Sequence, residues 1–227
     1  MAKKPEKISC KACGASLDEQ NRYCPSCGTN LQPEKVWPGE RKFVTILFAD
    51  VSGFSHMTER MDPEEVTSFL NITFERLEKI ILKYGGIVDK YIGDCVMALF
   101  GVPKAYGNDA ERACLTAIEM MKAVKELNIS QRLPERLNLS IGINAGTTIV
   151  GSIGGSTSKQ NTVIGDAVNV AQRLQSIAQA GQIMTSRRVV RLCEQRVRFQ
   201  SVGEFYVKGK SEPIPSYLVI GPIEEHS

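Results

Sequence analysis

Histidine, tryptophan and long apolar runs are what this chain has least of. Its two histidines, His56 and His226, have no partner pattern around them, and Trp37 is the lone tryptophan. No apolar run approaches the ~20 residues that span a bilayer. The N-terminus, Met1-Ala2-Lys3-Lys4-Pro5, lacks the apolar stretch of a signal peptide. The expectation is therefore a cytoplasmic protein, away from the membrane, with reduced thiols. Also missing are a Gly-x4-Gly-Lys-[Ser/Thr] loop, a Gly-x-Gly-x-x-Gly fingerprint and a Gly-x-Ser-x-Gly elbow, which removes three common routes to phosphate, dinucleotide and acyl chemistry. A net charge of +3 over 227 residues is too small to argue for nucleic acid. Residues 1–42 hold eight Lys/Arg and five Asp/Glu, and the rest holds twenty of each, so the basic excess sits in the N-terminal piece.

What is present divides the chain. Four of the seven cysteines, Cys10, Cys13, Cys24 and Cys27, form Cys-x2-Cys-x10-Cys-x2-Cys, and a glycine follows each pair, Gly14 and Gly28. Such a glycine permits a tight knuckle whose backbone N–H groups point at thiolate sulfurs. Four thiolates make a closed tetrahedral site, for which one structural Zn²⁺ is the default and iron the lesser alternative. Two disulfides are the other reading, which a reducing compartment disfavours. So short a segment cannot bury a core, so the metal would hold its fold. Residues 1–30 resemble a zinc ribbon. Residues 31–42, with Pro33, Pro38 and Gly39 among charges, read as a linker that Trp37 could anchor onto the main domain.

The remainder, residues 43–221, alternates strands and helices. Val44–Val51 is an apolar strand. Asp62-Pro63-Glu64-Glu65 starts a helix with an Asp cap, a proline in the first turn and acids at the positive end of the dipole. Val66, Phe69, Leu70, Phe74, Leu77, Ile80 and Ile81 then recur at helical spacing until Gly85-Gly86. Strands at 87–91 and 96–100 flank a turn at Gly93-Asp94. A helix over 108–127, a strand over 139–144, a helix over 166–178 and a strand–helix–strand–strand series to residue 220 follow. Gly146, Gly151, Gly154 and Gly155 punctuate the stretch after the 139–144 strand. The pattern predicts an α/β sandwich on a largely antiparallel sheet.

Two carboxylates stand at strand ends: Asp50 in Phe48-Ala49-Asp50-Val51-Ser52-Gly53-Phe54, and Asp94 in Asp89-Lys90-Tyr91-Ile92-Gly93-Asp94. One Asp at a strand end is usually a turn residue. Two ending central strands of one sheet are costly unless a cation lies between them, and two Mg²⁺ or Mn²⁺ ions would suit. Asn169 and Arg173 lie one helical turn apart, with Val170, Leu174 and Ile177 on the opposite side. By spacing alone they are a solvated polar face; beside a metal pair they could orient a ribose and stabilise a phosphate in flight. Lys90 and Lys208 are candidates for base and phosphate contacts. Cys95, Cys114 and Cys193 read as core thiols.

With these motifs in this order, residues 41–220 resemble the catalytic domain of class III nucleotidyl cyclases, the adenylate and guanylate cyclases. The resemblance implies an α+β, ferredoxin-like βαββαβ fold and a head-to-tail homodimer with sites at its interface. It implies conversion of a nucleoside triphosphate to the 3′,5′-cyclic monophosphate and pyrophosphate. Asp50 and Asp94 match the metal aspartates, and the backbone from Val51 to Phe54 would lie at the triphosphate. Lys90 matches the lysine that reads adenine, Asn169 and Arg173 the transition-state pair, and Lys208 the lysine that holds terminal phosphates. Thr162 stands where the commonest pattern has an Asp. The Lys90/Thr162 pair is similar to the soluble, bicarbonate-responsive adenylyl cyclases, which makes ATP the expected substrate and bicarbonate an activator to test.

The resemblance leaves three rival readings. One is a non-catalytic, nucleotide-binding cyclase-like regulatory domain, which would be expected to have lost some of these residues. Another is an adaptor whose working part is the ribbon, binding a protein partner or nucleic acid; Tyr23 is the ribbon's sole aromatic, which speaks against nucleic acid. The third is a guanylate cyclase.

Overall fold

The computed structural model describes residues 8–9, 13–17, 26–27, 39–52, 62–130, 136–154, 159–206 and 212–224. The chain divides into two compact units, Met1–Trp37 and Pro38–Ser227. In the first, Ile8–Ser9 pairs antiparallel with Ser16–Leu17. Gly14, in the turn between them, has φ +74°, a left-handed conformation that favours glycine. Cys13 and Cys27 are exposed. Cys10, Cys24, Gly28 and Trp37 lie outside the described residues, so the four-thiolate set is not described as a whole.

The second unit is built on strand β1 (Glu40–Ser52). It starts inside the span read as linker because Glu40, Arg41 and Lys42 pair with Val150, Ile149 and Thr148. Helix α1 (Pro63–Lys83) follows, capped as expected: the Asp62 carboxylate accepts from the Glu64 N–H at 2.9 Å. Strands β2 (Ile87–Ile92) and β3 (Cys95–Phe100) form a hairpin whose turn uses Gly93 at φ +61°. Then come α2 (Asp109–Ser130), β4 (Asn138–Gly154), β5 (Lys159–Ile164) and α3 (Asp166–Ile177). After them lie β6 (Ile183–Ser186), α4 (Arg187–Cys193), β7 (Val197–Phe205) and β8 (Ile214–Pro222).

The eight strands make one sheet in the order β2-β3-β1-β4-β6-β8-β7, with β5 paired to β4. Among the described pairings only β4 with β6 is parallel. The first six elements are the βαββαβ core, with β1 central between β3 and β4. Helices α1 and α2 cover one face of the sheet through Leu77, Ile81, Ala117 and Met120. Helix α3 covers the other through Val170 and Leu174. Covered on both faces, β1 buries every residue from Val44 to Ala49, which is why it reads as a continuous apolar run.

The structure departs from the sequence reading after residue 144. The strand expected over 139–144 runs on to Gly154, and β5 returns antiparallel to it. Gly146, which looks like a breaker, is a close-approach position instead, as is Gly142 within the expected strand. A Cβ on Gly142 would stand 2.2 Å from Gln175 N and 2.3 Å from Ala171 O, and one on Gly146 would stand 2.7 Å from Ala167 Cβ. Helix α3 sits directly on this bare strand. Gly142→Ala should therefore push α3 off its seat and lower stability by about 1–3 kcal/mol, read as a lower midpoint of thermal unfolding. An unchanged midpoint would refute this account of the packing.

Candidate active site

Asp50 lies near the end of β1, opposite Cys95 on one side and Ser140 on the other. Asp94 follows Gly93 in the β2–β3 turn, and its carbonyl accepts from the Val51 N–H at 3.1 Å, fastening the turn to β1. The two carboxyls thereby share one locality. Burial, then the charge of Asp94 and a hydrogen bond with it, push the Asp50 pKa above its ordinary 3.8. Burial and the same two carboxylates push the Cys95 thiol up to about 12, leaving it unreactive. Cys114 and Cys193 are both buried, and contact with Cys193 together with burial holds the Cys114 thiol well above its usual range. Cys114 and Cys193 are the core thiols expected; Cys95 is not, because it stands only part-buried at the start of β3, opposite Asp50.

Among the described residues no group of three or more His, Cys, Asp or Glu is gathered as a metal cage. Two carboxylates nonetheless fit Mg²⁺ or Mn²⁺, because such ions are commonly held by one or two carboxylates and completed by substrate phosphates and water. A proton and a cation would compete for Asp50. Mn²⁺ affinity, followed by electron paramagnetic resonance, should therefore weaken as pH falls through the raised Asp50 pKa, at a higher pH than an ordinary aspartate would cause. Affinity that holds constant until the ordinary range near 3.8 would contradict it.

A second cluster forms where β2 approaches β5. The Thr162 hydroxyl donates to Asp89 Oδ2 at 2.7 Å, and Lys90 Nζ lies 3.3 Å from the same oxygen. The sequence reading named Lys90 and Thr162 but passed over Asp89, the residue that joins them. Its signal was available: a carboxylate inside the apolar strand Ile87-Val88-Asp89.

Asn169 and Arg173 share one side of α3, away from the buried Val170, Ala171 and Leu174. The helix is held in place by a buried amide: Asn144 Nδ2 donates to the Ala167 carbonyl at 2.9 Å, and Ser186 Oγ donates to Asn144 Oδ1 at 2.6 Å. Among the described residues neither the Asn169 nor the Arg173 side chain has a hydrogen bond or ion pair. Phe54 and Lys208 lie outside the described residues. One chain thus presents a carboxylate pair, a Lys–Asp–Thr cluster and an unpaired Asn/Arg face.

The sequence pattern of the adenylate and guanylate cyclase catalytic domain matches residues 38–221. The chain belongs to this cyclase family. It is 33% identical over 188 residues to adenylate cyclase 1 of Rhizobium meliloti, a match covering 81% of this chain and 28% of that protein. The chain thus spans under a third of that relative's length. The adenylyl cyclase CyaB from P. aeruginosa superposes with a TM-score of 0.78 at 37% identity, covering 80% of this chain and 95% of that one. The guanylyl cyclase Cya2 gives 0.76 at 34% identity, covering 83% and 96%. Similarity to adenylyl and guanylyl cyclases alike establishes the cyclase domain and leaves the choice of base to the site itself. No described helix of this cyclase domain is long and apolar enough to cross a membrane.

Proposed function

We propose that this chain is an adenylate cyclase, converting ATP to 3′,5′-cyclic AMP and pyrophosphate at the interface of a homodimer. The observation that carries the reading is the convergence of Asp50 and Asp94 on one locality at the end of a central strand. A half-buried carboxylate whose ionisation a neighbouring carboxylate opposes, as Asp94 does that of Asp50, makes a site that a divalent cation completes. Bound there, Mg²⁺ or Mn²⁺ would supply an acidified 3′-hydroxyl and charge neutralisation on the triphosphate.

The chain's own residues then have defined tasks. Asp50 and Asp94, with the Val51 backbone beside them, would hold the cations. Arg173 places its guanidinium against charge that develops as pyrophosphate leaves. Asn169 holds the ribose. Lys90 and Thr162 take the adenine edge, and Lys208 the terminal phosphates. Catalysis would rest on positioning and electrostatics, with water or substrate phosphate taking the proton. Asn169 and Arg173, unpaired among the described residues, are available to complete a site whose metals a second copy holds. The N-terminal unit carries one structural Zn²⁺ on Cys10, Cys13, Cys24 and Cys27 and serves docking or regulation. Bicarbonate stimulation is a finer proposal that rests on Thr162; activity at fixed pH that ignores added bicarbonate would dismiss it.

The test is incubation of the purified protein with Mn²⁺ and either ATP or GTP, with the product identified as cyclic AMP or cyclic GMP. Cyclic AMP in excess supports the reading. Preferential turnover of GTP would make this domain a guanylate cyclase, and no product from a folded dimer would favour a nucleotide-binding regulatory domain.

A further inference from the structure

Asp89 has no task in the site as proposed, yet two of the site's residues converge on it. Its side chain is 0% exposed. Oδ2 takes the Thr162 hydroxyl and the Lys90 ammonium, while Oδ1 has no hydrogen-bond partner among the described residues. A buried carboxylate with one open oxygen is unfavourable for stability, and a group kept at such cost calls for an explanation.

Its placement depends on a local irregularity. Consecutive residues of a regular strand point to opposite faces. Here the β2–β3 register slips, with Val88 opposite Ala98 and Lys90 opposite Met97, so Asp89 is the extra residue of a β-bulge. Bulges re-aim side chains, and this one lets the neighbouring Asp89 and Lys90 side chains meet at one point.

We infer that Asp89 is a positioning residue that sets the base preference of the site, by fixing the polarity of Thr162 and the location of the Lys90 ammonium. The inference rests on the adenylate cyclase reading and deepens it. A threonine hydroxyl has one donor and two acceptor lone pairs. Left to rotate, it can meet an amino group or a carbonyl equally. With its O–H committed to Asp89, it offers the base lone pairs only. The Lys90 ammonium is a donor only. The pair therefore displays one acceptor and one donor. Adenine presents the complement, a 6-amino donor beside the N1 acceptor. Guanine presents O6 and N1–H in those places, so O6 would face a lone pair. A threonine, weaker than a carboxylate as a marker of adenine, acquires a carboxylate's polarity at second hand.

The experiment compares wild type, Asp89→Ala, Asp89→Asn, Thr162→Val and the Asp89→Ala/Thr162→Val double variant. Each is assayed for kcat/KM with ATP and with GTP. Binding is measured calorimetrically with 3′-deoxy-ATP and 3′-deoxy-GTP, which lack the attacking hydroxyl. The expected result for Asp89→Ala is a fall in the ATP-to-GTP ratio of roughly tenfold, carried mainly by KM and matched in the binding ratio. Asp89→Asn, whose amide oxygen still accepts from Thr162, should keep an intermediate ratio. The double variant should show no further loss of ratio beyond Thr162→Val, because the two residues act as one unit. If the Asp89 variants lose ATP and GTP turnover by the same factor and keep the wild-type binding ratio, Asp89 is only a structural tie and the inference is overturned. Should Asp89→Ala fail to fold, the ratio in Asp89→Asn decides: one equal to wild type's in both assays refutes the inference. Wild type that prefers GTP overturns the adenylate cyclase reading instead, which keeps the two failures distinct.

Discussion

Asp50→Ala should reduce cyclic AMP formation on the order of 10³-fold, while the chain remains folded. The magnitude follows from the several kcal/mol of transition-state charge stabilisation that a bound cation supplies, at about 1.36 kcal/mol per tenfold in rate. The stability side has the opposite sign. Asp50 has its pKa raised in the folded chain by burial and by Asp94. A raised carboxyl contributes stability that is fully present below its unfolded pKa and lost as pH rises through the folded one, so near neutral pH the ionised group is a liability in the metal-free fold. Asp50→Asn should therefore unfold without metal at the same temperature as wild type or higher, and should lose the stabilisation that Mn²⁺ and nucleotide confer on wild type. Measuring thermal midpoints with and without Mn²⁺ and 3′-deoxy-ATP checks both halves. A variant that keeps near-wild-type turnover would remove Asp50 from the metal site.

Mixing Asp50→Ala chains with Asn169→Ala chains, each inactive alone, should restore about one quarter of wild-type activity. In a symmetric dimer with metals from one subunit and Asn169 and Arg173 from the other, each homodimer of variants has two damaged sites. A heterodimer concentrates both lesions in one site and leaves the other whole. Random exchange of equal amounts makes about half the dimers heterodimers, each with one working site of two. The structure makes the arrangement plausible in physical terms, since α3 is tied down by Asn144 and Ser186 while its Asn169/Arg173 face has no partner among the described residues. Activity measured after subunit exchange, with heterodimers verified by differently tagged chains, checks it. A mixture that forms heterodimers and stays inactive would place all the catalytic residues within one subunit's site.

What the sequence by itself determined is local. Asp62-Pro63 before a period of apolar residues sets the start of α1, and the Asp62 cap forms as the pattern requires. Asp50 at the end of an apolar run and Asp94 after Gly93 mark the carboxylate pair, because strand ends and positive-φ turns are written in a few adjacent residues. Asn169 and Arg173 share a helix side by spacing alone. The tertiary structure alone decided the rest. Gly146 looked like punctuation and Gly142 like an ordinary strand residue, and only the seat of α3 shows that a bare strand is needed there. The β-bulge that brings Asp89 and Lys90 together depends on the register with β3, which no single strand's sequence encodes. Thr162 meets Asp89 across 73 positions of chain. A contact so distant leaves no periodicity and no spacing in the sequence; it exists because β5 folds back antiparallel on β4 and brings Thr162 to β2, and with it the polarity of the base site.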